Sequence, residues 1–205
     1  MNWIEFKSRM FDFGCFGVHQ VYAWQPGFDR NNFGRWLKRG YLVRLRQGVY
    51  TFSEYQSKPD MAVYFAGRIY SPSYVSLHTA LASYGLIPEA VVQITSVTSL
   101  KTARFKNGFG EYSYQSVRDD LMFGYEPRSL ADGRTASYAM REKALLDLLY
   151  LYPFYNTADE LTNLRLDSDV LHEELDCDRL ELFAARFRSP ALERRVCLLR
   201  KVYDL

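Results

Sequence analysis

Val18-His19-Gln20-Val21-Tyr22-Ala23-Trp24 runs into Gln25-Pro26-Gly27-Phe28, then Asp29-Arg30-Asn31-Asn32-Phe33-Gly34-Arg35-Trp36-Leu37-Lys38-Arg39-Gly40, then Tyr41-Leu42-Val43-Arg44-Leu45-Arg46-Gln47-Gly48-Val49-Tyr50-Thr51-Phe52. This order predicts a short helix, a turn, a second helix and a β-hairpin. Asp29 is placed to accept from free backbone amides of a helix beginning at Arg30. Gly40 stands just past its end, where Lys38 and Arg39 suit the negative pole of the dipole. Phe33, Trp36 and Leu37 recur at i, i+3, i+4 and form one apolar stripe that must be buried. Arg30, Asn31, Gly34, Arg35 and Lys38 fall on the opposite side. In the hairpin, Val43 and Leu45 alternate with Arg44 and Arg46, which predicts one apolar and one cationic face across a Gln47-Gly48 turn.

Such an order is what a winged helix-turn-helix needs, with one helix in the DNA major groove and a cationic hairpin beside it. Arginine and asparagine make bidentate contacts to guanine and adenine edges. The candidate contacts on the helix are therefore Arg30, Asn31, Arg35 and Lys38. Those on the hairpin are Arg44, Arg46 and Gln47. A solvated basic helix face and an edge strand blunted by arginine would explain the two halves separately. Found together, they point to double-stranded DNA as the partner.

The composition agrees with a globular chain. Its 205 residues allow one or two domains, and 48% apolar residues suffice for a core. No apolar run approaches a membrane span, and the amphipathic start Met1-Asn2-Trp3-Ile4-Glu5-Phe6-Lys7 is not a signal peptide, so a cytoplasmic protein is expected. Cys15, Cys177 and Cys197, like His19, His78 and His172, are scattered without metal-ligand spacing. No metal, cofactor or disulfide framework is expected. The net charge of +2 hides an asymmetry: residues 1–52 carry eight Lys/Arg against Glu5, Asp12 and Asp29, and the remainder is acidic on balance. DNA binding would therefore belong to the first part of the chain.

The expected organisation is α+β, with an N-terminal winged helix-turn-helix over residues 1–55 and an α+β domain over 59–205. Trp3, Phe6, Met10 and Phe13 suggest a first helix packing on the helix-turn-helix. Ser53 to Lys58 is polar and reads as a linker. Ala62, Phe65, Ala66 and Ile69 follow helical spacing after Pro59. Ser76 is a cap candidate for a helix through Tyr84, stopped by Gly85. Val91 to Val97, Thr102 to Phe105, Glu111 to Gln115 and Leu121 to Tyr125 read as strands of a mostly antiparallel sheet, with Asn107-Gly108 as a turn. Met140 to Leu149 returns to helix, and short helices follow Pro153. Leu180 to Phe187 and Leu192 to Tyr203 close the chain as helices. Acidic residues from Asp159 to Glu181 precede a basic end with Arg186, Arg188, Arg194, Arg195, Arg200 and Lys201, a pattern of neighbouring helices with complementary faces.

Chemistry is weakly signalled, and the chain is not expected to be an enzyme. Asp119, Asp120, Glu126, Glu142 and Lys143 are the residue types of a metal-dependent nuclease. But Glu142 and Lys143 are adjacent and would point to opposite faces of a strand. Glu142 fits a helix start better. No glycine-rich phosphate loop is present.

Tyr74-Val75-Ser76-Leu77-His78-Thr79-Ala80-Leu81-Ala82-Ser83-Tyr84-Gly85-Leu86-Ile87-Pro88 resembles a signature segment of the abortive-infection type IV antitoxin (AbiEi) family. Arg141-Glu142-Lys143-Ala144-Leu145-Leu146-Asp147-Leu148-Leu149-Tyr150 resembles its second segment. Leu37 to Tyr50 resembles its winged helix. The likeness spans roughly residues 15 to 170. It implies a regulator that represses its own operon by binding the operator. It also implies an antitoxin that counteracts a nucleotidyltransferase-like toxin without forming a stable complex. The alternatives are a stand-alone winged-helix regulator, whose second domain binds a ligand or dimerises, and a DNA-processing enzyme.

Overall fold

The computed structural model describes residues 2–88 and 92–205. Asn2 caps the first helix, α1 (Trp3–Met10), by accepting from the Glu5 amide at 2.8 Å. Phe6 and Met10 are buried, but Phe13, expected to pack with them, is exposed. Next come β1 (Cys15–Gly17), α2 (Val18–Trp24), α3 (Asn31–Lys38), β2 (Leu42–Arg46) and β3 (Val49–Phe52). The three strands form an antiparallel sheet in the order β1-β3-β2. Its core is aromatic: the Phe6 ring lies within 4.5–6.3 Å of Phe16, Phe28, Phe33, Trp36 and Phe52. Phe33 also stacks on Tyr50 at 4.9 Å, which fixes α3 against the hairpin.

The second part contains α4 (Met61–Ile69), β4 (Ser73–Val75), α5 (Leu77–Ser83), β5 (Gln93–Thr98), β6 (Ala103–Asn107), β7 (Gly110–Ser116), β8 (Tyr125–Ser129) and β9 (Thr135–Ala139). Five helices follow: α6 (Arg141–Leu151), α7 (Ala158–Thr162), α8 (Ser168–Glu174), α9 (Cys177–Phe187) and α10 (Pro190–Tyr203). The class is thus α+β. The six-stranded sheet has the order β6-β7-β5-β4-β9-β8. Three of its pairings are antiparallel (β6/β7, β4/β5, β8/β9), while β5/β7 and β4/β9 are parallel, so this sheet is mixed. The cause is local: β6 passes to the edge and returns as β7, which then inserts beside β5 in the same direction.

Other expectations change in detail. Leu121 to Tyr125 is not a strand. A 3-10 turn over Asp119–Leu121 buries Leu121, Phe123 is buried after it, and the strand starts only at Tyr125. The hairpin β8–β9 gives no alternating pattern because every residue of β8 is exposed. Ser76 stands at the start of α5 but does not cap it; its hydroxyl donates to Asp147 at 2.8 Å. Val91, where a strand was expected to begin, lies outside the described residues. Ser53 to Lys58 is no free linker: Ser53–Ser57 forms a 3-10 turn with Tyr55 fully buried.

Hydrogen bonds cross the boundary expected between residues 1–55 and 59–205. Arg134 donates to the Tyr55 hydroxyl (2.9 Å) and to the Asp12 carbonyl (3.0 Å). Tyr64 donates to the Phe13 carbonyl at 3.0 Å, and Asn107, at the tip of β6, donates to the Leu45 carbonyl at 3.1 Å. The buried residues form one continuous cluster through both parts. Among the described residues, no helix is long and apolar enough to cross a membrane.

Candidate nucleic-acid interface

Burying Phe33 and Trp36 orients the rest of α3. Arg30, Asn31, Gly34, Arg35 and Lys38 are all exposed, as the helical period requires. Asp29 accepts from the Asn31 amide at 2.9 Å, one residue later than the expected start. A Cβ added at Gly34 would meet nothing within 4 Å, so internal packing does not demand glycine there. Its effect is to keep the middle of the exposed face flat.

Two adjoining hollows share Arg30, Arg44 and Tyr50. One is completed by His19, Tyr22 and Gln47, the other by Asn31, Arg35 and Lys38. Arg44 of β2 therefore joins the α3 residues in one basic face. Arg35 is braced: its Nη2 donates to Asp29 Oδ2 at 3.2 Å and to Asn32 Oδ1 at 2.5 Å. Asn32 itself is buried. The sequence pattern singled out Asn31 and missed Asn32, although its place beside Phe33 on the inner side of the helix was the available signal.

Arg46 departs from expectation. The β2/β3 register shifts between Arg44 and Arg46, so simple alternation fails: Leu45 is buried as expected, but Leu42 rather than Val43 is buried with it. Arg46 is half-buried and borders a different hollow with Phe105 and Lys106 of β6. Its Nε is buried without a hydrogen-bond partner among the described residues. Gln47 is exposed at the hairpin tip and borders the hollows on both sides.

Sequence reasoning also missed a buried polar cluster. Lys143 and Asp147 of α6 form an ion pair with no exposed side-chain surface. Lys143 Nζ donates to the Tyr74 hydroxyl at 2.7 Å, and Tyr74 and Ser76 donate to Asp147 Oδ2 at 2.9 and 2.8 Å. Burial pushes the Asp147 carboxyl up and the Lys143 amine down, and these contacts work against that by holding the ionised pair. Enclosed in this way, the cluster ties β4 to α6. Glu142, in the first turn of α6, accepts from the Asp176 amide at 3.0 Å and lies 3.7 Å from Arg179. Among the described residues, no group of three or more His, Cys, Asp or Glu is placed to hold a metal.

No protein-family model matches the chain, and none of the curated proteins compared with it is similar.

Proposed function

We propose that the protein is a winged-helix transcriptional regulator that binds duplex DNA, with α3 entering the major groove and β2–β3 serving as the wing. The observation that carries this reading is the single basic face formed by Arg30, just before α3, and Asn31, Arg35 and Lys38 of α3 with Arg44 of β2. The element order helix, strand, helix, helix, hairpin supports it, as does the Phe33–Tyr50 stack, which sets the hairpin beside α3. Bracing by Asp29 and Asn32 reduces the rotamer freedom that Arg35 would lose on contacting a base.

We further propose that the regulator acts on its own operon as the antitoxin of a type IV pair. The support is the resemblance of two segments to AbiEi antitoxins. These segments meet in the fold, where Tyr74 and Ser76 of one bond Lys143 and Asp147 of the other.

Fluorescence anisotropy on the DNA upstream of the gene, over a salt series, tests the DNA reading. Arg44→Ala is expected to lower the slope of log K against log salt by about 0.9, the share of one phosphate contact. Arg46→Ala should lower it by less, because that side chain lies against β6. Arg35→Ala should cost about 1–3 kcal/mol on the operator and less on random DNA. Unchanged binding in the Arg35 and Arg44 variants refutes the assignment. Co-expression with a neighbouring nucleotidyltransferase-like gene, scored by growth, tests the antitoxin role separately. Operator binding without rescue would leave a stand-alone regulator.

A further inference from the structure

Half of the basic end of the chain is engaged within the molecule, while Arg188, Arg194 and Lys201 stay exposed. Arg195 is buried and donates to the Leu149 carbonyl at 3.0 Å, Arg200 pairs with Glu181, and Arg186 lies over the Phe123 ring. What stays outside is more regular. Glu193, Cys197 and Lys201 are exposed on α10 at i, i+4 and i+8, and so form one row along the helix. All three border a groove between α9 and α10 that is also lined by Ala184, Ala185 and Val196 and by the charged Glu181, Arg200 and Asp204. The two alanines let another helix approach closely.

Glu193 and Lys201 have no ion-pair partner among the described residues. They cannot reach each other, because eight residues of helix separate them by about 12 Å. A second α10 laid antiparallel over the first and centred on Cys197 removes the mismatch. Each Glu193 then faces the other copy's Lys201, both pairs form at once, and the two Cys197 side chains meet on the twofold axis. That is an isologous contact, in which one patch is its own complement. A small apolar ligand would account for Ala184, Ala185 and Val196 in the groove but not for the spacing of acid, cysteine and base. We propose that this protein pairs with a second copy of itself through the α9–α10 groove, with the α10 helices antiparallel about Cys197.

Sedimentation velocity on the intact 24.0 kDa chain tests this without DNA. Wild type should shift from one to two chain masses as loading rises. Glu193→Lys sets lysine against lysine on both sides of the axis and should weaken association by about tenfold. Lys201→Glu alone should do the same, and the double swap Glu193→Lys/Lys201→Glu should restore it. Circular dichroism checks that each variant keeps its helix content; because both positions are exposed, either single variant serves if the other misfolds. In a Cys177→Ser background, bis-maleimidoethane should join two chains, and adding Cys197→Ser should abolish the product. A single-chain mass at every loading would overturn the proposal. So would equal association of the single and double variants, or cross-linking that survives loss of Cys197.

Discussion

Replacing Lys143 with Met should cost about 3–5 kcal/mol, the range for breaking a buried ion pair from one side. The structure argues for the lower end. Asp147, left without its cation, would keep hydroxyl donors from Tyr74 and Ser76 and can take up a proton. Asp147→Asn should cost at least as much. It leaves a buried ammonium among the rings of Tyr74, Phe123 and Phe187, whose centroids lie 4.9–5.2 Å from Nζ, with only neutral oxygens to accept. The double variant Lys143→Met/Asp147→Asn removes both charges and keeps a carbonyl oxygen for Tyr74 and Ser76. It should therefore cost only about 1–2 kcal/mol, the residue of imperfect hydrogen bonding and packing. The predicted signature is a coupling energy of more than about 2 kcal/mol in the double-mutant cycle. Urea unfolding followed by circular dichroism gives all four stabilities, and the slopes of the transitions show whether two-state behaviour holds. Additive costs would refute the account, because independent losses mean that the two side chains do not hold each other. Single losses below about 1 kcal/mol would show that the site is wetter than its complete burial implies.

Two further outcomes follow from the fold. His172 places its two ring nitrogens 2.7 Å from the Ser168 carbonyl and 3.2 Å from the Asp204 carbonyl, and these two contacts with backbone acceptors raise its pKa above the ordinary value. Both contacts are hydrogen bonds only in the imidazolium, so the stabilisation is complete below the unfolded value near 6.5 and lost as pH rises through the raised folded value. The melting-temperature difference between wild type and His172→Gln should shrink as pH rises from below 6.5 through the raised folded value, and a flat difference would exclude the linkage. Gly124→Ala should cost more than Gly85→Ala. Both glycines have positive φ, but a Cβ at Gly124 would lie 2.8 Å from the Phe183 ring and 3.2 Å from Lys143 Cβ, whereas at Gly85 it would meet nothing within 4 Å. Thermal unfolding should put Gly85→Ala near about 1 kcal/mol and Gly124→Ala about 1–3 kcal/mol beyond it, with equal costs counting against a packing role for Gly124.

What the sequence showed and what it hid follow one physical rule: periodicity reports burial against a single neighbour. Phe33, Trp36 and Leu37 announced α3 because one side of that helix is buried and the other wet. The same logic placed α9 and α10 at the end of the chain, whereas β6 and β7 are announced by the Asn107-Gly108 turn signal between them, since β7 buries Tyr112, Ser113 and Tyr114 in succession. It failed wherever that condition breaks. β8 is exposed throughout, so it alternates with nothing. Every residue of α6 from Glu142 to Leu149 is buried, so the two charges at its centre carry no amphipathic signature, and Lys143 invited comparison with Glu142 instead of with Asp147 one turn on. Leu45 is buried as its apolar place predicts, but Leu42 takes the place of Val43 and Arg46 is half-buried, because an irregularity in the β2/β3 register changes the phase of the strand, which no local pattern announces. Tyr55 hid within a polar stretch that looked like a tether. A hydroxyl donating to the Phe11 carbonyl and accepting from Arg134 makes one tyrosine the joint between the two parts of the chain. That joint bears on function. If α3 and β2 read DNA, the seam at Tyr55, Arg134 and Asn107 fixes how the second part is carried relative to the duplex. A contact on α10 that pairs two copies would then also set the spacing of the two basic faces, and hence of the half-sites they can reach.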